Sequence, residues 1–242
     1  MQDLRVFDVA GYGQSGEFDT LMNVVAETRA AYQRWAPLYP PVAHNPLMRA
    51  EQQAMLLYWP AVAGLRVLDL ACGTGRYSRL LAEGGAADIV ALDFCVPMLM
   101  QVPNGSRVCA SMMQLPFAAD TFDVVISGLA LGHAADVGPW MSEIGRVLRT
   151  GGTLLYSDFH PDAARAGLTR SFKDIDDETC SVPHTQYPVN TQIEAAKAAG
   201  LRVETLHEVR VGIELCEPFA KCEDFYRNWH GLPIVLVVRA HK

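Results

Sequence analysis

The chain has 242 residues, 50% of them hydrophobic and 19% charged, with 27 acidic against 20 basic side chains and a formal net charge of −7. That length fits one large domain, or a domain with a small accessory lobe, and the apolar half excludes bulk disorder, a collagen, a coiled coil and a disulfide scaffold. The acidic balance argues against a nucleic-acid-binding protein, which ordinarily carries a basic face.

Residues 17–35 read as a helix, with Leu21, Val24, Val25, Thr28, Ala31, Tyr32 and Trp35 on a 3.6-residue stripe. Four prolines between 37 and 46 break the chain, and a second helix is predicted over 46–59, with Pro46 in its first turn where proline is tolerated. No strand pattern precedes residue 60, so 1–60 is expected to be a helical lobe lying against the main domain. From 65 the pattern changes to short apolar runs at 66–71, 88–93, 107–110, 122–129 and 153–158, with helices predicted at 75–83, 97–102 and 136–149 between them. Asp136 is the expected cap of the third helix and Gly151-Gly152 its expected stop. Strands that are apolar throughout and alternate with helices indicate a parallel sheet covered on both faces. Residues 160–189 hold short apolar pieces around an acidic turn, 174–178, and read as an inserted hairpin or lid. A helix over 190–199 follows, and 202–215 with 232–240 read as an antiparallel strand pair closing the sheet.

The longest apolar run, 232–238, is strand-length and falls short of the ~20 residues that cross a bilayer. Residues 1–8 carry two acids and no apolar core, so no secretory signal is expected there. Cys72, Cys95, Cys109, Cys180, Cys216 and Cys222 form no Cys-x-x-Cys pair and no zinc spacing, so free thiols, a cytoplasmic location and no metal are expected.

The most informative segment is Asp69-Leu-Ala-Cys-Gly-Thr-Gly75, where a strand meets a glycine turn and a helix begins. Such a turn lets backbone approach a ligand and offers it unpaired helix amides, although a plain tight turn would look the same. The next strand ends in Asp93, placed to accept hydrogen bonds from ribose hydroxyls. A nicotinamide dinucleotide and another adenosine-bearing cofactor both satisfy this pattern. Two residues weigh against the dinucleotide: Ser78 stands where its fingerprint has a third glycine, and Asp69 would repel a pyrophosphate. A carboxylate there suits a cationic ligand, such as the sulfonium and ammonium of S-adenosylmethionine.

With these residues the segment resembles the first motif of class I S-adenosylmethionine-dependent methyltransferases. Leu92-Asp-Phe-Cys-Val-Pro-Met98, Leu115-Pro-Phe117 with Phe122-Asp-Val-Val125, and Glu143-Ile-Gly-Arg-Val-Leu148 with Gly151-Gly152 follow in the family's order. The resemblance covers about 60–160 and is closest to the small-molecule branch of ubiquinone/menaquinone C-methyltransferases and malonyl-carrier O-methyltransferases. It implies a Rossmann-like α/β sheet, with 1–60 as a helical lid over a domain of 61–242. It further implies S-adenosylmethionine as donor and O- or C-methylation of a small-molecule acceptor. The alternative is a regulatory or interaction protein that holds the donor without chemistry. Nucleic acid is not an expected partner, and the oligomeric state is left open.

The resemblance also implies residue roles. Asp69 would orient the donor's amino group, Ala71, Gly73 and Gly75 would line its methionine part, and Asp93 would hold the ribose. Phe94 and Met98 would flank the adenine, with Met112 and Met113 capping it, although methionines at these positions also serve as core filler. Ser127 or Leu129 would face the methionyl backbone. Tyr32-Gln-Arg-Trp-Ala36 resembles the family's lid helix, whose tyrosine closes over the donor. One departure stands out: where the branch has an acid on the adenine amino group, this chain has Ser111. On the acceptor side, His133, His160 and His184 are candidate bases, each equally readable as structural. Tyr39, Arg49 and Arg170 are candidate substrate contacts, and Trp35, Phe172 and Trp229 are candidate walls of an apolar pocket.

Overall fold

The computed structural model describes residues 4–7, 16–215 and 223–242. Cys216, Cys222 and half of segment 1–8 lie outside the described residues. In chain order the elements are β1 (Leu4–Val6), α1 (Gly16–Trp35), α2 (Pro46–Leu57), β2 (Arg66–Leu70), α3 (Arg76–Glu83), β3 (Asp88–Asp93), α4 (Val96–Leu99), β4 (Ser106–Cys109) and β5 (Phe122–Gly128). They continue with α5 (Val137–Val147), β6 (Leu148–Phe159), α6 (Pro161–Arg165), β7 (Ser171–Lys173), β8 (Thr179–Ser181), α7 (Val189–Ala198), β9 (Arg202–Arg210), α8 (Glu223–Trp229) and β10 (Pro233–His241).

One sheet runs in the order β1-β4-β3-β2-β5-β6-β10-β9. Strands β1 to β6 pair in parallel, and β10 runs antiparallel to both β6 and β9, matching the sequence expectation of a parallel sheet closed by an antiparallel pair. The two-residue strand period divides the core. Leu68 and Leu70 face a layer holding Trp140, Ile144 and Tyr156, while Val67 faces the opposite layer with Met55, Leu81 and Ile126. Met48, Ala50, Ala54 and Met55 of α2 belong to that second layer, so this helix is built into the main core. Asn45 caps α2 by accepting from the Met48 amide at 2.9 Å, and Asp136 caps α5 by accepting from the Gly138 amide at 2.8 Å.

Three local expectations are corrected. Leu4–Val6 forms an edge strand paired with Arg107, Val108 and Cys109, although no strand pattern was visible in so short a segment. Helix α5 ends at Val147, before the glycine pair, because Leu148 is already extended and paired with Phe122. Gly151, at φ 79°, therefore turns the chain inside β6 and does not stop a helix.

The segment 160–189 contains α6 and the hairpin β7–β8, in which Phe172 pairs with Cys180. Its acidic turn has a specific anchor. Asp174 is buried, accepts from the Asp176 and Glu178 amides, and pairs with Arg34 of α1. Phe172 stacks on Trp35 at 4.5 Å with the rings 5° from parallel. The C-terminal half of α1 and the hairpin thus share a small core that also holds Ala31 and Val182. Phe172 is accordingly a packing residue, and Trp229 lies partly buried against the second core layer.

Candidate functional site

In an open parallel sheet, ligands bind beyond the carboxyl ends of the strands, where neighbouring connections diverge. Here β2 lies between β3 and β5, and a cavity of about 400 Å³ opens at that point. Asp69 and Ala71 line it from β2 and its turn, Gly73 from the glycine turn, Asp93 from the tip of β3 with Phe94 just beyond it, and Leu129 from just beyond β5. Met98 closes one side from α4, and Ser111, Met112 and Met113 close it from the loop after β4. Tyr32 of α1, Tyr39, His133 and Arg170 cover it.

The backbone is strained where it meets this space. Ala71 and Leu129 adopt φ values of 55° and 56°, in the left-handed region that disfavours side chains. Each such residue costs roughly 1–3 kcal/mol, and strain of this kind concentrates at ligand sites. Gly75, at φ 83°, is the N-cap of α3. It does not line the cavity, and its role is to let the turn close.

The two acids are held differently. Asp93 accepts from the Gly73 amide and from the Cys95 amide, each at 2.9 Å, tying the strand tip to the glycine turn. Asp69 accepts from the Ser78 hydroxyl at 2.7 Å, which explains a serine where a dinucleotide fold has glycine. Burial raises both carboxyls to about 6, against the hydrogen bonds that work to lower them. Arginines stand opposite: Arg29, Arg76 and Arg170 all line the cavity. A ligand with separated positive and negative groups matches this mixed wall.

Arg76 is pinned from below. Its guanidinium lies 2.7 Å from Glu51, and Glu51 also accepts from the hydroxyls of Tyr77 at 2.6 Å and Ser157 at 2.5 Å. Burial works against the charge of Arg76, but the Glu51 carboxylate, together with Tyr77 and Tyr39, more than offsets it and holds the guanidinium above its ordinary range. Sequence reasoning missed this network. Its one signal is Glu51 itself, a charged residue between Met48 and Met55 on the buried face of α2.

The covering residues form a directed chain of hydrogen bonds. Arg170 donates to the Leu129 carbonyl at 2.8 Å and to the Tyr32 hydroxyl at 3.3 Å. The Tyr32 hydroxyl lies 2.9 Å from His133 Nε2, and His133 Nδ1 lies 3.0 Å from the Pro183 carbonyl. A carbonyl only accepts, so Nδ1 carries the proton and Nε2 accepts from Tyr32. Burial, followed by Arg170 and His184, holds His133 well below the ordinary histidine range, and burial raises the Tyr32 phenol. The pair is a neutral imidazole and a neutral phenol.

The other two histidines are elsewhere. His160 is buried as the N-cap of α6, accepting from the Asp162 amide at 3.1 Å, and its second nitrogen faces Glu208. His184 lies outside the cavity wall, 3.2 Å from buried Asp158 and edge-on to His133 at 5.6 Å. Ser127 is fully buried and donates to the Leu70 carbonyl across the β2–β5 pair, so of Ser127 and Leu129 only Leu129 lines the cavity. Arg49 is exposed on α2 and lines neither this cavity nor its neighbour. The Ser111 hydroxyl accepts from the Met113 amide at 3.1 Å and so closes its own loop.

A second cavity of about 420 Å³ adjoins the first and shares Tyr39, Leu129 and Arg170 with it. Trp35 lines it from the end of α1, His44 from the segment after that helix, Phe159 from β6, Leu168 from the insert and Phe225 from α8.

A model of the methyltransferase domain matches residues 68–156. A malonyl-[acyl-carrier protein] O-methyltransferase of Enterobacter lignolyticus is 30% identical over 207 residues, which is 84% of this chain and 77% of that protein. A demethylmenaquinone methyltransferase of Corynebacterium urealyticum is 41% identical over 98 residues, so this chain spans only 42% of its length. Among solved structures, an S-adenosylmethionine-dependent methyltransferase from Mesorhizobium loti superposes with a TM-score of 0.65 at 24% identity, covering 80% of this chain and 98% of that one. At that identity the last comparison speaks to the fold alone.

Proposed function

Since the chain belongs to the S-adenosylmethionine-dependent methyltransferases, we propose that it methylates a small-molecule acceptor, with the donor seated in the first cavity and the acceptor in the second. S-adenosylmethionine supplies an electrophilic methyl group on a sulfonium, and transfer is an in-line displacement. The protein's task is then alignment and exclusion of water, for which proximity supplies much of the acceleration.

The observation that carries this reading is Asp93: buried, at the tip of β3, and hydrogen-bonded to the glycine turn. In that position it holds the donor's ribose hydroxyls. Asp69 lies where the ammonium belongs, and Ala71 and Gly73 offer backbone to the methionine part. Phe94, Met98, Met112 and Met113 enclose the adenine, with Ser111 in place of an acid. Tyr32 and Tyr39 close over the donor, and Arg170 stands on the boundary with the acceptor. Helix α1 and the insert 160–189 act as the covering lobe over a domain of 61–242, and α2 serves as part of that domain's floor.

Among the described residues no helix is long and apolar enough to cross a membrane, and no cluster of acids, histidines and cysteines has the makings of a metal site. A free small molecule in the cytoplasm is the partner we infer, and nucleic acid is not. Calorimetry with S-adenosylmethionine, S-adenosylhomocysteine and NAD tests the donor assignment. Asp93→Ala should weaken binding of both adenosyl compounds by about 10–100-fold, on ~1.5–3 kcal/mol for charge-assisted hydrogen bonds. Binding of NAD but neither adenosyl compound, or unchanged affinity in the variant, defeats the assignment.

A further inference from the structure

We propose that the second cavity takes a flat, apolar acceptor bearing a ring or enolic hydroxyl, that Arg170 holds this oxygen, and that Tyr32 passes its proton to His133. The proposal rests on the methyltransferase reading and narrows it to O-methylation of a weakly acidic hydroxyl. Three observations carry it.

The first is the wall. Trp35, Tyr39, Phe159, Leu168 and Phe225 surround a cavity whose volume falls within the ~300–1,000 Å³ of small-molecule sites. Aromatic rings favour stacked or edge-on partners, so the body of the occupant is an apolar ring.

The second is charge. Arg170 is the one fully charged side chain lining this cavity among the described residues, and it also lines the donor cavity. The atom to be methylated lies where the two cavities meet, beside a guanidinium. That cation attracts an oxygen that is becoming an anion and repels an ammonium.

The third is the hydrogen-bond chain. Arg170, Tyr32 and His133 are linked in order, and the far end is an unprotonated nitrogen whose lone pair meets the Tyr32 hydroxyl. An acceptor that arrives as a carboxylate has no proton to lose and no use for such a chain. A hydroxyl does. Its proton moves to the Tyr32 oxygen as the Tyr32 proton moves to His133 Nε2. The acceptor oxygen bonds to the methyl carbon as the carbon–sulfur bond breaks, and sulfur keeps that electron pair. One positive charge leaves sulfur and one appears on His133, so the buried site keeps its net charge.

The groups facing His133 are Tyr32 from α1, Arg170 from the segment before β7 and His184 from the segment after β8, with Asp158 of β6 behind His184. His133 acts through Tyr32 and is a positioning residue in this scheme.

The test uses the full chain loaded with S-adenosylhomocysteine for binding and with S-adenosylmethionine for turnover. The probes are 2-naphthol, 2-naphthoate and 2-naphthylmethylammonium. 2-Naphthol should bind the loaded protein at least about tenfold more tightly than the ammonium probe, and Leu168→Trp should weaken it at least about tenfold without changing S-adenosylhomocysteine affinity. Wild-type methylation of 2-naphthol should stay level from pH 7 to 9. In Tyr32→Phe, and separately in His133→Gln, only the pre-ionised naphtholate can react, so the rate should climb about tenfold per pH unit. A level profile in both variants overturns the relay. Failure of 2-naphthol to bind or to be methylated, preference for 2-naphthoate, or equal binding of the ammonium overturns the acceptor assignment. Failure of S-adenosylhomocysteine itself to bind overturns the methyltransferase reading beneath it.

Discussion

Mild acidification should loosen the donor's hold, by an amount set by Asp69 and Asp93. Both are buried and titrate at about 6, mainly because burial penalises the charged form. A donor that needs a carboxylate ionised binds more weakly by the factor 1 + 10^(pKa − pH). Between pH 7 and pH 5 this factor changes about tenfold for a group at 6, which is ~1.4 kcal/mol. If both carboxylates engage the donor, affinity should fall about a hundredfold over that range; if only one does, about tenfold. The sign is set by the raised values. The ligand-free fold binds these two protons more tightly than the unfolded chain, so both groups favour the folded state on acidification through pH 6 to 4 while weakening the donor complex. Titration calorimetry at pH 5, 6 and 7, in two buffers of different ionisation enthalpy, measures affinity and proton uptake together. Proton release should accompany binding at pH 6 and nearly vanish at pH 7. An affinity level from pH 7 to 5, with no proton release, would refute the assignment of these acids to the donor.

Two stability predictions follow from the residues around the cavity. Glu51→Gln leaves the Arg76 guanidinium buried without its counter-charge, a loss of about 3–5 kcal/mol. At ~2–4 °C per kcal/mol this lowers Tm by about 6–20 °C in a thermal melt, and a drop under 2 °C would show the pair to be dispensable. The double variant Glu51→Met, Arg76→Met should lose less than Glu51→Gln alone, because no charge is stranded. Ala71→Gly acts in the opposite direction. Relief of a left-handed alanine is worth ~1–2 kcal/mol and the added freedom of the unfolded chain costs ~0.4–1 kcal/mol, so Tm should rise by a few degrees. A fall would mean that the alanine methyl makes contacts worth more than its backbone strain.

The parallel sheet, its antiparallel closure and many residues lining the first cavity were legible in the sequence because their determinants are local. An apolar run buried on both faces reads as a central strand wherever it stands, and a glycine turn between strand and helix has few other uses. Asp69, Ala71, Gly73 and Asp93 meet in space because β2 and β3 are adjacent parallel strands joined by one helix, and their register puts Asp69 opposite Ala91, two residues short of Asp93. Only tertiary structure separated the histidines. In sequence, His133, His160 and His184 are three identical imidazoles, two after predicted strands and one in the insert. In the fold one faces the cavity, one caps a helix and one pairs with Asp158. The contacts that decide this lie far apart in the chain: Tyr32 and His133 are 101 residues apart, and Tyr32 and Arg170 are 138 apart. The same holds for Glu51, whose partners Arg76 and Ser157 reach it from α3 and β6. No periodicity or motif records such meetings. What a polar side chain does depends on its burial and its partners, and both are set only when distant segments pack together.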